Sequence, residues 1–249
     1  LQRFKKQIHL MAGHAAPNIV EDGLVLYVDA ANPRSYPGSG TSWNTLVGDK
    51  NCTLYGSPTY QTNNGGGLVF DGADDYAQTT SFPEIDGSTT YTFNFWLKYG
   101  GTDTSVQSLF CKPKASQWAE DLDFRWYPSS TQLLMTMNTN TRFTSDDINL
   151  STTAFTNLCL VVNSAESSNA DKIKVYLNGS TIPNDTGLTP IAATSGGNQP
   201  LIIGGGRQGN SPNVIREFDG NINLVAVYDR SLTEAEVKQN YNALKNRFI

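Results

Sequence analysis

The stretch 218–236 constrains the fold of this chain more than any other, because a strand signal and a helix signal follow one another directly. In the run 222–227, side chains alternate with the period of two that is typical of an extended strand. Thr233 and Glu236 have the spacing of a capping box, which predicts that a helix begins there. The helix would carry an apolar face and basic residues near its negative end: Val237, Tyr241 and Leu244, then Lys245 and Arg247. We therefore predict a strand followed by a short C-terminal helix over residues 233–246.

Many other short segments have the composition of strands and are separated by turn residues. The run 91–98 alternates best, with Tyr91, Phe93 and Phe95 on one face. Asn178-Gly179 is the strongest hairpin signal, because both central residues of a type I′ turn require positive φ. The remaining candidate strands are 23–29, 108–112, 122–126, 133–138, 155–163, 173–177 and 201–204. Such a succession is typical of a β-sandwich or jelly roll.

Composition limits the classes of function. The 249 residues fit one large β-domain, which at this length needs no metal or disulfide merely to fold. A net charge of -5 without a large basic block argues against a nucleic-acid partner, and no apolar run is long enough to span a membrane. Because three is an odd number, the cysteines cannot all pair within one chain. We therefore predict reduced, partly buried thiols at Cys52, Cys111 and Cys159.

Three stretches in a fixed order carry a resemblance to a known family. They are LVFDGADDY at 68–76, KIKVYLNG at 172–179 and the strand-to-helix segment 218–236. Together they resemble concanavalin A-like, laminin-G-like jelly-roll domains. The resemblance implies an all-β fold: a two-sheet antiparallel jelly-roll sandwich over residues 20–249, with a short C-terminal helix and an N-terminal arm over residues 1–19. This fold hosts lectins, glycanases and purely structural proteins, so it does not decide the function.

A narrower resemblance concerns the opening segment 19–43 and the closing segment 239–248. Both are similar to laminin-G-like structural proteins of tailed bacteriophages, especially those of cyanobacterial and marine hosts. That resemblance implies a non-enzymatic virion protein on the outside of the particle, as a head decoration, neck or tail-fibre part. It also implies assembly in the host cytoplasm with other virion proteins and copies of itself. The alternative function is a lectin-like adhesion module for host surface glycans, and the third is a glycanase.

The arm is the predicted assembly contact. It is basic, while the rest of the chain is acidic, and its apolar residues recur at near-helical spacing. A signal peptide is rejected, because His9 and Gly13 interrupt the apolar stretch. The residues expected to dock are Arg3, Phe4, Lys5, Lys6, Ile8 and Met11.

Catalytic residues are not expected. Glycanases of this fold carry the pattern Glu-x-Asp-x-x-Glu, and the nearest match is the run 120–123, where Asp121 and Asp123 could lie side by side. Phe124-Arg125-Trp126 then replaces the second glutamate, which favours solvated acids at a strand entrance. His9 and His14 are the only histidines and lie in the arm, so the sandwich cannot hold a Ser-His-Asp triad.

Calcium is the metal that the clustered acidic residues could bind. Asp71, Asp74 and Asp75 cluster in one turn, and Ca²⁺ takes many oxygen ligands. Asp29 and Asp219 could complete such a site. The alternative is that these aspartates only form Asx-type turn hydrogen bonds, and the fold requires no cofactor.

A glycan site would combine aromatic faces with nearby amides. Trp118, Trp126 and Tyr127 are the candidate aromatic residues, and Asn138 and Asn140 are the candidate amides. The alternative is that tryptophans such as Trp126 and Trp96 simply fill the sandwich.

Overall fold

The computed structural model describes residues 17–114, 120–137, 140–145, 148–183, 193–194, 197–207 and 213–249. Within these residues the chain forms sixteen strands, one α-helix and three short 3₁₀ helices. The strands are β1 (Leu24–Asp29), β2 (Ser42–Trp43), β3 (Cys52–Tyr55), β4 (Thr59–Gln61), β5 (Gly67–Asp71), β6 (Tyr76–Thr79), β7 (Thr90–Tyr99), β8 (Gln107–Pro113), β9 (Glu120–Tyr127), β10 (Gln132–Met137), β11 (Asn140–Ser145), β12 (Thr156–Asn163), β13 (Ile173–Leu177), β14 (Ser180–Thr181), β15 (Ile202–Ile203) and β16 (Asp219–Tyr228). The helices are α1 (Glu234–Phe248) and the 3₁₀ turns Asn63–Gly65, Pro83–Ile85 and Pro128–Ser130.

The strands form two eight-stranded antiparallel sheets. In the first sheet the order is β14-β13-β12-β7-β16-β5-β4, and β1 also pairs with β16. In the second sheet the order is β11-β10-β9-β8-β15-β6-β3-β2. The predicted all-β sandwich with a C-terminal helix is therefore confirmed.

The main core lies between the two sheets. The alternating aromatic residues of β7 point into it, as their period of two predicts. Phe93 of β7 stacks on Phe110 of β8 in the opposite sheet, with ring centroids 3.9 Å apart and planes at 8°. Each fully buried phenylalanine contributes roughly 1.5–3 kcal/mol from the removal of its surface from water.

A second, smaller core lies between the first sheet and α1. Trp96 is on the opposite face of β7 from Phe93, and its ring stacks on Phe248 at 4.3 Å and on Tyr241 at 5.8 Å. The helix begins where the sequence predicts, with Thr233 as the N-cap and a complete capping box to Glu236. It ends at Phe248, two residues beyond the predicted end, because the Phe248 ring continues the apolar face under the helix.

The hairpin between β13 and β14 has the predicted turn. Asn178 and Gly179 both have positive φ, at 50° and 77°. A Cβ atom at Gly179 would lie 3.0 Å from Cδ1 of Tyr241, so the turn also packs closely against α1.

The N-terminal segment of the described chain is attached to α1. The amide of Val20 donates to Oδ1 of Asn240 at 2.8 Å, and Nε2 of Gln239 donates to the carbonyl oxygen of Asn18 at 2.8 Å. The predicted docking residues of the arm, Arg3 to Met11, lie outside the described residues.

All three cysteines are buried, and they form no disulfide with one another. Burial raises the pKa of the Cys52 thiol to about 12 and also raises that of Cys159. In the described part of the chain, no helix has the length and apolar character needed to cross a bilayer.

Candidate functional site

A cleft of about 610 Å³ opens at the edge of the sandwich, where the chain crosses from β3 in the second sheet to β4 in the first. Its size is within the range of small-molecule sites, roughly 300–1,000 Å³. One wall is the loop before β2, and the other is the β3–β4 connection. The lining residues are Tyr36, Gly38, Ser39, Gly40, Thr41, Leu54, Tyr55, Gly56, Ser57, Pro58 and Tyr60.

Tyrosines dominate the apolar surface of this cleft. Tyr55 is 41% exposed and is, with Ile249, one of the two exposed large hydrophobic residues in the described chain. Its ring stacks on Tyr76, with centroids 4.6 Å apart and planes at 9°. Tyr36 and Tyr60 pack together at 5.5 Å, and the Tyr36 hydroxyl donates to the carbonyl oxygen of Gly40 at 3.0 Å. The cleft therefore presents an aromatic face that neighbouring rings hold in place.

The rim of the cleft has an unusual backbone. Gly56 has a φ of 80°, and a Cβ there would overlap Oδ1 of Asp75 and lie 2.6 Å from the carbonyl oxygen of Asp74. Only glycine fits this position. Ser57 follows with a φ of 120°, a conformation that non-glycine residues avoid and that concentrates at binding sites.

The acidic turn behind this rim brings together the three aspartates that the sequence singled out. Their ligand oxygens all lie within 4.8 Å of one another. The turn hydrogen bonds of the alternative interpretation are present: the Asp71 carboxylate accepts from the amides of Ala73 at 2.9 Å and Asp74 at 3.4 Å. The Asp75 carboxylate in turn accepts from the amide of Asp71 at 3.1 Å.

Mutual repulsion and burial shift the acidity of this region. Burial, followed by the Asp71 carboxylate, raises the pKa of Asp75 to about 6. Burial also raises the pKa of Glu217, and the charges of Asp74 and Asp71 add to that increase. The turn is therefore a region of negative potential that disfavours further anions.

The two aspartates expected to complete a calcium site have other partners. Both carboxylate oxygens of Asp29 accept hydrogen bonds from Arg247. Asp219 lies opposite Asp71 in the β16–β5 register, but its Oδ2 accepts from the amides of Thr102 and Asp103. The expectation that they join Asp71, Asp74 and Asp75 is wrong, because each carboxylate already fixes a different part of the fold. Because calcium takes six to eight oxygens, a site at Asp71, Asp74 and Asp75 would rely on backbone carbonyl oxygens or water for its further ligands.

The sequence-predicted glycan residues do not form one site among the described residues. Trp126 is 1% exposed and packs in the core, with its ring edge-on to Tyr99 at 6.3 Å. Its assignment to a glycan surface is wrong, because a buried ring cannot meet a ligand in solution. Tyr127 is half-buried at the end of β9 and Asn140 is exposed at the start of β11, while Trp118 and Asn138 lie outside the described residues.

The candidate catalytic carboxylate is also buried. Asp123 is fully buried, and its Oδ2 accepts from Nε of Arg125 at 2.8 Å and from a terminal nitrogen of Arg216 at 2.7 Å. Burial raises the pKa of Asp123, and the two arginines oppose that increase. The expectation of a solvated acid was wrong here, because Arg216 reaches β9 from a distant segment. The side chains of Glu120 and Asp121 lie outside the described residues.

The family is decided by a match over residues 71–238 to the sequence model of the Concanavalin A-like lectin/glucanases superfamily. The chain belongs to this superfamily. The acidic turn begins the matched region, whereas the cleft residues precede it. No curated protein sequence matches the chain.

Solved structures with this superfamily fold resemble the chain at low identity. Domain 4 of AbnA, an extracellular GH43 arabinanase from Geobacillus stearothermophilus in complex with arabinotriose, is 17% identical with a TM-score of 0.61, covering 89% of this chain and 100% of that one. Trypanosoma rangeli sialidase in complex with sialic acid is 14% identical with a TM-score of 0.62, covering 90% of this chain but 33% of the sialidase. The receptor-binding domain of botulinum neurotoxin type G is 11% identical with a TM-score of 0.56, covering 88% and 51%. At these identities the likeness shows the fold alone.

The cleft of this chain was not predicted from its sequence. A signal was present, since Tyr55 and Tyr60 flank a Gly-Ser-Pro turn, and Tyr36 begins the turn-rich loop 36–40. Tyrosines beside turns are common, however, and nothing local to the sequence indicates that these two loops face one another.

Proposed function

We propose that this chain is a non-catalytic carbohydrate-binding domain that holds a glycan in the tyrosine-lined cleft. Tyr55 is the observation that carries this proposal: it is an exposed aromatic residue that lines the cleft, and its ring is stacked on Tyr76. The apolar C–H face of a sugar packs on such a ring, while its hydroxyl groups hydrogen-bond to backbone and hydroxyl groups.

The superfamily and its structural neighbours support this proposal. The arabinanase domain that aligns over its whole length was determined in complex with arabinotriose. This chain aligns with only part of the sialidase and of the neurotoxin domain, so the activities of those proteins are not transferred. What the chain shares with them is a sandwich that can carry binding loops at its edges.

The test is a glycan array followed by calorimetry on the glycans that bind. Tyr55→Ala should weaken binding at least tenfold, about 1.4 kcal/mol, because the stacking face is lost. The matched control is Tyr127→Ala, which removes a half-buried tyrosine elsewhere on the second sheet and should leave the affinity unchanged. If Tyr127→Ala abolishes binding and Tyr55→Ala does not, the glycan binds at the sequence-predicted site instead. Absence of binding to any glycan would contradict the proposal.

The absence of catalysis is part of the proposal, and the environment of Asp123 supports it. A carboxylate held by two arginines is not available as a general acid or a nucleophile. Incubation with a polysaccharide that binds should release no reducing sugar over time. Time-dependent release that Asp121→Asn or Asp123→Asn abolishes would establish a glycanase instead.

A display role on a phage particle is a second proposal, and it is compatible with glycan binding. It rests on the resemblance of segments 19–43 and 239–248 to phage structural proteins. The two segments contact each other through Val20 and Asn240, and the carbonyl oxygen of Asn18 accepts a hydrogen bond from Gln239, so residues 18–20 lie beside α1. Deletion of residues 1–16 should leave a soluble domain with an unchanged β-type circular dichroism spectrum that fails to join phage particles. Incorporation at wild-type occupancy would rule out the arm as the anchor.

A further inference from the structure

We infer that the cleft selects uncharged glycans and discriminates against glycans that carry carboxylate or sulfate groups. This inference rests on the proposed function and names the class of ligand. Its basis is the distribution of charge in and behind the cleft.

The lining of the cleft offers no counter-ion to an acidic sugar. Among the eleven described residues that line it, none is lysine, arginine, histidine, aspartate or glutamate. An anion that enters must lose hydration, and desolvation of an unpaired charge is far more costly than desolvation of a neutral hydroxyl group. Proteins that recognise carboxylate or sulfate groups use a paired cation, most often arginine.

The charges that lie directly behind the rim are negative. The Gly56 backbone packs on Asp74 and Asp75, and Asp74 is exposed. Asp71 and Glu217 add to the same field. Arg207 and Arg216 lie near these groups, but neither is among the residues that line the cleft. Arg207 is 6% exposed, and its charge only partly offsets the burial that raises the pKa of Tyr76; Arg216 donates a hydrogen bond to the buried Asp123. At neutral pH an anionic sugar in the cleft would therefore be repelled.

A neutral sugar matches what the cleft does offer. Ser39, Thr41 and Ser57 contribute hydroxyl groups, and the glycine-containing loops expose backbone donors and acceptors. These groups can exchange hydrogen bonds with sugar hydroxyls, while Tyr55 contacts the apolar face of the ring. The volume of about 610 Å³ leaves room for more than one sugar ring.

The experiment compares matched glycan pairs that differ only in one charged group: a galactose-terminated oligosaccharide against its sialylated form, a glucan against the corresponding glucuronan, and a galactan against its sulfated form. Calorimetry at neutral pH should give at least tenfold weaker binding for the acidic member of each pair. Tyr55→Ala should weaken binding of the neutral members. Asp74→Asn, which changes a carboxylate behind the rim, should leave neutral affinity unchanged and reduce the discrimination.

The outcomes separate the two proposals. If no member of any pair binds, the proposed function fails, and this inference with it. If glycans bind in a Tyr55-dependent manner but the acidic members bind equally well or more tightly, the proposed function stands and the inference is overturned. Discrimination that falls when NaCl is raised to about 0.5 M supports the electrostatic origin, because screening weakens repulsion between exposed charges.

Discussion

Arg247, in the last turn of α1, donates one hydrogen bond to each carboxylate oxygen of Asp29 at the end of β1, at 2.7 and 2.8 Å. Nε of the same guanidinium donates to the carbonyl oxygen of Asn64 at 3.0 Å, and its face lies 4.4 Å from the centroid of Phe248. The two carboxylate bonds form a planar, bidentate ion pair of the kind that only arginine makes. This pair joins the end of the helix to the first strand.

Replacing Arg247 should destabilise the domain. Arg247→Ala leaves the mostly buried Asp29 without its partner, and we expect the free energy of unfolding to fall by about 2 kcal/mol. Urea denaturation measures this change. Lys238→Ala, at an exposed position of the same helix, is the control and should have little effect. Asp29→Asn in the Arg247→Ala background should restore part of the loss, whereas full wild-type stability of Arg247→Ala alone would show that the pair contributes nothing.

The Asn178-Gly179 turn should not tolerate a β-branched residue. Gly179→Val must hold a positive φ and also approach Tyr241, so we expect a loss of about 1 kcal/mol or more. Thermal denaturation is the measurement. Gly87→Val is the matched control, since Gly87 also has positive φ but no heavy atom lies within 4 Å of its Cβ position. A smaller loss is expected there, and an unchanged melting temperature for Gly179→Val would contradict the close packing of the turn against α1.

Stability should increase as the pH falls from about 7.5 to about 5. The pKa of Asp75 is raised by burial from 3.8 to about 6, so the folded state takes up a proton before the unfolded state does. Its contribution is fully present below about pH 4 and is lost as the pH rises through about 6. The raised pKa of Glu217 acts in the same direction. The pKa of Glu236, lowered to about 2 chiefly by its hydrogen bond from Arg230, acts oppositely but only at more acidic pH.

The variant Asp75→Asn isolates this effect. It should flatten the dependence of melting temperature on pH between about 5 and 7.5, because the amide does not titrate. Asp49→Asn, which changes an exposed carboxylate outside the turn, should retain the wild-type slope. An Asp75→Asn slope equal to that of the wild type would show that another group is responsible.

Calcium should leave the stability of the domain unchanged. The carboxylates of Asp71 and Asp75 already accept backbone hydrogen bonds, and the two further aspartates that could have completed a site are engaged elsewhere. Differential scanning calorimetry with EDTA and then with millimolar Ca²⁺ is the measurement. An increase in the transition temperature with Ca²⁺ that Asp71→Asn removes would instead establish a bound ion, since a ligand of the folded state stabilises it by mass action.

Features that depend on local backbone chemistry could be predicted from the sequence. The Asn178-Gly179 turn follows from the positive φ that these residues tolerate, and the start of α1 follows from the capping box at Thr233. The alternation in β7 and β16 predicted strands with one face in the core. Each of these signals is contained within a few consecutive residues, so it can be recognised without knowledge of how the rest of the chain folds.

The sequence could not show which tryptophan and which carboxylate are accessible to solvent. Trp126 was a candidate for a glycan surface and Asp123 for a solvated acid, yet both are buried. The partner that allows Asp123 to be buried is Arg216, which is 93 residues away in the sequence. Burial depends on what packs against a side chain, and that partner comes from another part of the chain.

The sequence by itself therefore determined nine of the sixteen strands, the hairpin turn, the capped helix and the superfamily. Tertiary structure alone decided the candidate site. The Tyr55 ring stacks on Tyr76 of the neighbouring strand, and the cleft exists because the loop before β2 faces the β3–β4 connection. The position of the acidic turn behind Gly56 likewise follows from the pairing of β3 with β6. The physical reason is that strand pairing is non-local. The alternation of side chains along a strand sets which face each residue occupies. Which strand lies beside it depends on how both sheets pack as a whole.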